Sequence, residues 1–233
     1  MRRVTTSTPD LWHHYGRTRA TTDRAVPETF HWDWSQSGGP GAEVLGDLTG
    51  LRVADLGAGA GRHAAHLATH QRPERVDAID ASAAQHAIAT GLYGHLTPRL
   101  RLVQADVVTH LRSAPNGYDM LYSVFGALDF TDPQHLLPAA AAALRPGGRL
   151  AFATLAHYLG GEPAETDVTH ADIPAKRSDG QPTTMRRWVL QEQVWTKLLS
   201  EARLTDITTD LLPALSEGPR TADTLLVTAS RRT

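Results

Sequence analysis

The stretch Val53-Ala54-Asp55-Leu56-Gly57-Ala58-Gly59-Ala60-Gly61 ends an apolar run in an acid and then sets glycine at every second position. Such a turn is tight, and glycine there tolerates positive φ and lets backbone approach a ligand with no Cβ in between. A dinucleotide fingerprint puts its third glycine three residues after the second, where this chain has Arg62. The spacing therefore favours a nucleoside cofactor. Two further acids, Asp80 and Asp106, follow the next two apolar runs. A carboxylate at the first can accept both hydroxyls of a ribose; one at the second can accept from an adenine amino group, with the Val107 N–H serving a ring nitrogen. Each acid alone reads as a helix cap or turn residue. Together with the glycine turn they read as one site, because ligands of parallel sheets bind at the carboxyl ends of strands.

Other residues could act on a substrate. His157 follows the fifth apolar run at the same edge, and an imidazole titrates where a general base is useful. It ranks first among candidate bases, ahead of Tyr15, His13, His14 and His31, although a loop histidine is more often bonded to backbone. Trp32 and Trp34 point the same way if their segment is extended, and with Phe125 could wall a planar substrate. His63, His66 and His70 share a helical face, but no acid lies near and that face is expected to meet solvent, so no metal is predicted. Asp129 and Asp132 invite a magnesium reading; Asp132 before Pro133 is already explained as a helix cap.

Positioning these residues requires strands alternating with helices. Apolar runs at 51–56, 76–79, 100–103, 118–125 and 149–155 predict five strands, and alanine-rich stretches between them predict crossover helices. Ser82 should cap a helix that Gly91 stops, and Pro138 should bend or restart the helix ending near 144. An amphipathic helix is predicted at 187–203, with closing strands at 204–212 and 221–230. Residues 1–50 read as a lid over a core of 51–233, and the proline- and glycine-rich stretch 157–186 as an insertion on the substrate side.

Composition sets bounds. The 233 residues suit a single domain. With 23 basic against 25 acidic side chains there is no field to attract a nucleic-acid backbone. The absence of cysteine excludes disulfides, thiolate metal sites and cysteine nucleophiles. No apolar run is long enough to span a bilayer and no secretory leader is seen, so a cytoplasmic location is expected, as monomer or homodimer.

From about residue 51 to 155 the chain resembles the class I S-adenosylmethionine-dependent methyltransferases. The resemblance rests on the glycine turn, on Asp80-Ala81-Ser82, on Asp106, and on Leu144-Arg145-Pro146-Gly147-Gly148 before the fifth strand. It implies a Rossmann-like α/β fold with a seven-stranded, mostly parallel sheet and helices on both faces. By the same resemblance Gly57, Gly59 and Gly61 shape the cofactor loop, Asp80 with Ala81 meets the ribose, Asp106 with Val107 meets the adenine, and Ser123 meets the methionyl end. Asp55 and Gln85 are further contact candidates. Gly39-Pro40-Gly41-Ala42-Glu43 and Ser123-Val124-Phe125-Gly126-Ala127-Leu128 resemble enzymes that methylate small molecules in bacterial secondary metabolism. S-adenosylhomocysteine would be the spent cofactor, and oxygen ranks ahead of nitrogen or carbon as acceptor atom. No Asn or Asp followed by Pro-Pro and an aromatic ends the fourth strand, which argues against amino methylation of adenine or glutamine. A related fold doing other chemistry, a non-catalytic cofactor-binding subunit and a nicotinamide oxidoreductase are the competing readings.

Overall fold

A computed structural model of the chain describes residues 10–15, 25–216, 218 and 220–233. Five strands, β1 (Arg52–Leu56), β2 (Arg75–Asp80), β3 (Leu100–Gln104), β4 (Tyr118–Val124) and β5 (Leu144–Leu155), alternate with helices. These are α1 (Arg62–His70), α2 (Ala83–Tyr93), α3 (Val107–Arg112), α4 (Ala127–Phe130) and α5 (Pro133–Ala143). After them come β6 (Ala171–Lys176), β7 (Pro182–Arg187), α6 (Glu192–Glu201), β8 (Leu204–Leu212) and β9 (Thr224–Arg231). The main sheet has seven strands in the order β3-β2-β1-β4-β5-β9-β8. β1 to β5 run parallel, and β9 lies antiparallel between β5 and β8. This is the mostly parallel α/β sheet that the alternation predicts.

Side chains alternate across the sheet and divide the core in two. Leu150 and Phe152 of β5 face one layer, with Leu111 of α3, Leu136 and Leu137 of α5 and Trp195 of α6. Ala151 and Ala153 face the other, with Leu67 of α1 and Tyr93 of α2. The second layer also takes Phe30, Trp32, Leu45 and Leu48. The segment 30–48 thus anchors side chains in the core, which corrects the expectation of a lid running to residue 50. The rest of that expected lid, apart from 10–15, lies largely outside the described residues.

The remaining differences have local causes. α2 continues through Gly91 to Tyr93, since Leu92 and Tyr93 are buried and outweigh a glycine cost of about 1 kcal/mol. α5 passes Pro138 without restarting; the carbonyl this proline leaves unbonded belongs to Gln134, an exposed residue that water can serve. β5 begins at Leu144 because the ladder to β4 resumes across an irregularity at the expected turn. The insertion holds the β6–β7 hairpin, which ends on Arg187, and the helix predicted from residue 187 starts only at Glu192. No helix among the described residues is long and apolar enough to cross a membrane.

Candidate active site

The glycine turn folds as its spacing requires: Gly57, Gly59 and Gly61 have φ of 80°, 54° and 78°. Ile79 O accepts from the N–H groups of both Gly57 and Ala58, which holds the turn against the end of β2. Gly59 N–H then donates to Asp80 Oδ2 at 2.7 Å, while Ser82 N–H donates to Asp80 Oδ1 at 2.8 Å. Ser82 in turn caps α2 through Gln85 N–H. Two of the predicted cofactor elements are therefore joined directly. Burial pushes the Asp80 carboxyl up, its two N–H donors oppose this, and the nearby charge of Asp10 adds to the rise. Ala81 lies exposed beside it.

Asp55, next to last in β1, lies beneath the turn in register with Tyr122 of β4, whose hydroxyl donates to Asp55 Oδ2 at 2.9 Å. Burial raises the Asp55 pKa to about 7 against the lowering effect of that hydrogen bond. Ser123 is buried next door, its hydroxyl donating to Leu56 O at 2.7 Å.

Gly126 is a site residue that the sequence reading passed over. A Cβ on it would lie 2.6 Å from Leu56 O and 2.7 Å from Gly57 O, and one on Gly57 would lie 2.4 Å from Ala127 N. The β1 turn and the β4–α4 turn interlock backbone to backbone. The signal was present, as Gly126 sits within the Ser123–Leu128 stretch already singled out.

Asp106 behaves first as a cap: its Oδ1 accepts from Thr109 N–H and Thr109 Oγ1, both at 2.8 Å. It also lines a cavity of about 400 Å³ with Thr109, Arg112, Asp132 and His135. Val107 is buried at the start of α3.

Over the mouth lies the segment 10–15. Asp10 Oδ2 accepts from Ser82 Oγ at 2.9 Å and Ala84 N–H at 3.1 Å, beside Asp80. Gln85 Nε2 donates to the carbonyls of Trp12 and Tyr15 at 3.0 and 2.8 Å. Gln85 thus binds this segment, a role different from the direct cofactor contact expected of it. Trp12 packs edge-on against Phe130 of α4 at 4.6 Å, and His14 Nε2 donates to Arg177 O at the hairpin tip. Tyr15 is 65% exposed.

Two expectations fail. Asp223 N–H donates to His157 Nε2, which puts the ring proton on Nδ1, and Nδ1 donates to Tyr158 O at 2.9 Å. Both nitrogens are used, so His157 is a structural residue with no lone pair for a substrate proton. Trp32 and Trp34 do not share a wall: Trp32 is fully buried with Nε1 bonded to Gly41 O, whereas Trp34 packs edge-on against Phe125 at 5.0 Å. The segment bends between them.

Residues 53–148 match the family model described as "Methyltransferase domain". Those residues are similar in sequence to that domain. A search of curated proteins found no sequence match. Among solved structures, one similar fold is the Burkholderia thailandensis 1,6-didemethyltoxoflavin-N1-methyltransferase with bound 1,6-didemethyltoxoflavin and S-adenosylhomocysteine. It is 20% identical, with 79% of this chain and 72% of that chain covered and a TM-score of 0.54. An S-adenosylmethionine-dependent methyltransferase from Mesorhizobium loti is 20% identical over 81% of this chain and 94% of that one, TM-score 0.55. Haemonchus contortus phosphoethanolamine N-methyltransferase 2 with S-adenosylmethionine is 14% identical over 82% and 51%, TM-score 0.61. The fold is the Rossmann-like class I methyltransferase fold.

Beyond the matched residues, the sequence reading missed Arg187. It donates through Nη2 and Nε to Asp129 Oδ2 at 2.7 and 3.2 Å, with Asp129 fully buried. Its guanidinium lies 5.3 Å from the ring centres of both Trp34 and Phe130. This pair fastens the end of the hairpin to α4 and excludes Asp129 from a magnesium role; Asp132 caps α5 through Gln134 N–H. Nothing in the spacing around Arg187 announced it.

Proposed function

We infer that the protein transfers a methyl group from S-adenosylmethionine to a small planar acceptor by in-line displacement. The observation that carries this is the Gly59 N–H to Asp80 contact, which fixes the glycine turn and a ribose-binding carboxylate as one unit. The residues fit the cofactor. Gly57, Gly59 and Gly61 hold a backbone cradle at positive φ, and each Asp80 oxygen spends one lone pair on a backbone donor, keeping capacity for ribose hydroxyls. Asp106 Oδ2 and the Val107 N–H would serve the adenine; Asp55, Ala81 and Ser123 complete the set. When bound, the cofactor supplies an electrophilic methyl group on a sulfonium.

For the acceptor, the work of this chain is positioning and exclusion of water. Trp34 and Phe125 offer ring faces beside the β4–α4 turn, and the segment 10–15 with Tyr15 covers the mouth. With His157 engaged, the ground for ranking oxygen first falls away; a neutral amine or ring nitrogen needs no enzymic base. The near balance of charge supports a small acceptor over nucleic acid.

Calorimetry with S-adenosylhomocysteine, followed by assay of methyl-labelled S-adenosylmethionine against planar heteroaromatic amines and phenols, tests the reading. Saturable binding and a labelled acceptor are expected. No binding, or consumption of cofactor with an unmethylated product, would overturn it.

A further inference from the structure

The histidine face of α1 was expected to meet solvent; His70 does, but His66 does not and His63 is half-buried. His66 is buried against Phe30, and its Nδ1 donates to Pro27 O at 2.8 Å. A cavity of about 600 Å³ opens beside it, within the range of small-molecule sites. Its polar lining comes from Glu28 and His31 of the segment before the core, Glu43 of the short helical turn Ala42–Leu45, and His66 and Gln71 of the α1 end, with Phe30 as the apolar wall. It follows α1 toward the amino edge of the sheet, away from the glycine turn.

The lining is one-sided in its chemistry. His31 Nδ1 donates to Gly38 O, as His66 Nδ1 does to Pro27 O, so both rings carry their proton on Nδ1 and present Nε2 as an acceptor. Neither Nε2 has a hydrogen-bond partner among the described residues, and His66 is 5% exposed. Burial lowers the His66 pKa and keeps that ring neutral. Glu43 is held ready by the Gly41 N–H, which donates to its Oε1 at 2.7 Å and lowers its pKa. No lysine or arginine among the described residues lines the cavity. Two carboxylates and two imidazole lone pairs call for a ligand that donates hydrogen bonds and carries positive charge. A single metal ion is the wrong size: among the described residues no three such side chains converge closely enough to hold one.

We propose that this cavity binds an organic cation bearing primary ammonium groups, a diamine or polyamine, whose N–H donors span Glu28, Glu43, His31 and His66. The site is separate from the proposed methyl-transfer site and does not depend on it.

The test is thermal unfolding and calorimetry of the whole protein with 1,5-diaminopentane and spermidine, against tetramethylammonium, zinc and sulfate at constant ionic strength. The amines should raise Tm by about 3 °C at roughly ten times their Kd, and tetramethylammonium, which has charge but no N–H, should not. The double variant E28Q/E43Q, altering two exposed side chains, should lose about tenfold or more in amine affinity while its S-adenosylhomocysteine affinity stays that of the parent. Equal stabilisation by tetramethylammonium, preference for zinc or sulfate, unaltered amine binding in the double variant, or no amine binding would each overturn the proposal. Loss of S-adenosylhomocysteine binding in the parent protein would count against the methyltransferase reading and leave this one standing.

Discussion

Tyr122 donates its hydroxyl hydrogen to Asp55 Oδ2 across adjacent strands, and the pair sits wholly out of water beneath the glycine turn. Burial lifts the Asp55 carboxyl to about 7 from an ordinary value of 3.8. Between those values the folded protein holds a proton that the unfolded chain releases, so stability falls as pH rises through this window and levels off above it. Asp80 and Asp129 are raised by burial as well and add the same slope. Asp55→Asn should therefore flatten, without abolishing, the decline of Tm between pH 4 and 7. An unchanged slope in the variant would show that Asp55 is not the titrating group.

Asp80→Ala should weaken S-adenosylhomocysteine binding by about 1.5–3 kcal/mol, the range for hydrogen bonds to a charged group. It also frees Gly59 N–H, so part of the loss should come from a less ordered turn. Calorimetry giving the parent affinity would remove the ribose assignment.

Gly57→Ala sets a Cβ 2.4 Å from Ala127 N at a φ of 80°. Because the neighbour is backbone and cannot swing aside, the cost should be at the upper end of the roughly 1–3 kcal/mol seen for overpacking. Gly126→Ala should behave alike, with Leu56 O at 2.6 Å. Urea unfolding of the two variants checks this, and wild-type midpoints would contradict the interlock.

Arg187→Ala leaves the Asp129 carboxylate buried without its partner and should cost about 3–5 kcal/mol. The double variant with Asp129→Asn should recover much of that loss, because no charge is then stranded. A double variant as unstable as the sum of the singles would mean that packing on Trp34 and Phe130, and not charge, holds the hairpin end.

How much of this could be seen beforehand depends on the reach of each interaction. The glycine turn and Asp80 were legible because their geometry is local: alternate glycines demand positive φ, and an acid after an apolar run falls at a strand end. The seven strands were legible for the same reason of periodicity. His157 was located at the right edge yet given the wrong role, since its partners are the carbonyl beside it and the amide of Asp223, a residue far along the chain. The α1 histidines were expected in water because helical spacing says which residues share a face but not what covers it. Phe30 and Pro27 cover it here. Arg187 and Asp129 are 58 residues apart and meet only once the hairpin has docked.

The placement of β9 between β5 and β8 bears on how the molecule is made. A ribosome delivers β5 and β8 first; β5 can pair with β4, but its other flank and β8 must wait for the strand that separates them. Until then one flank of β5 stands as an open edge, ready to pair with the wrong chain. Completion of the sheet therefore waits for β9, and a chain cut short of Thr224 would lack an inner strand and not a dispensable tail.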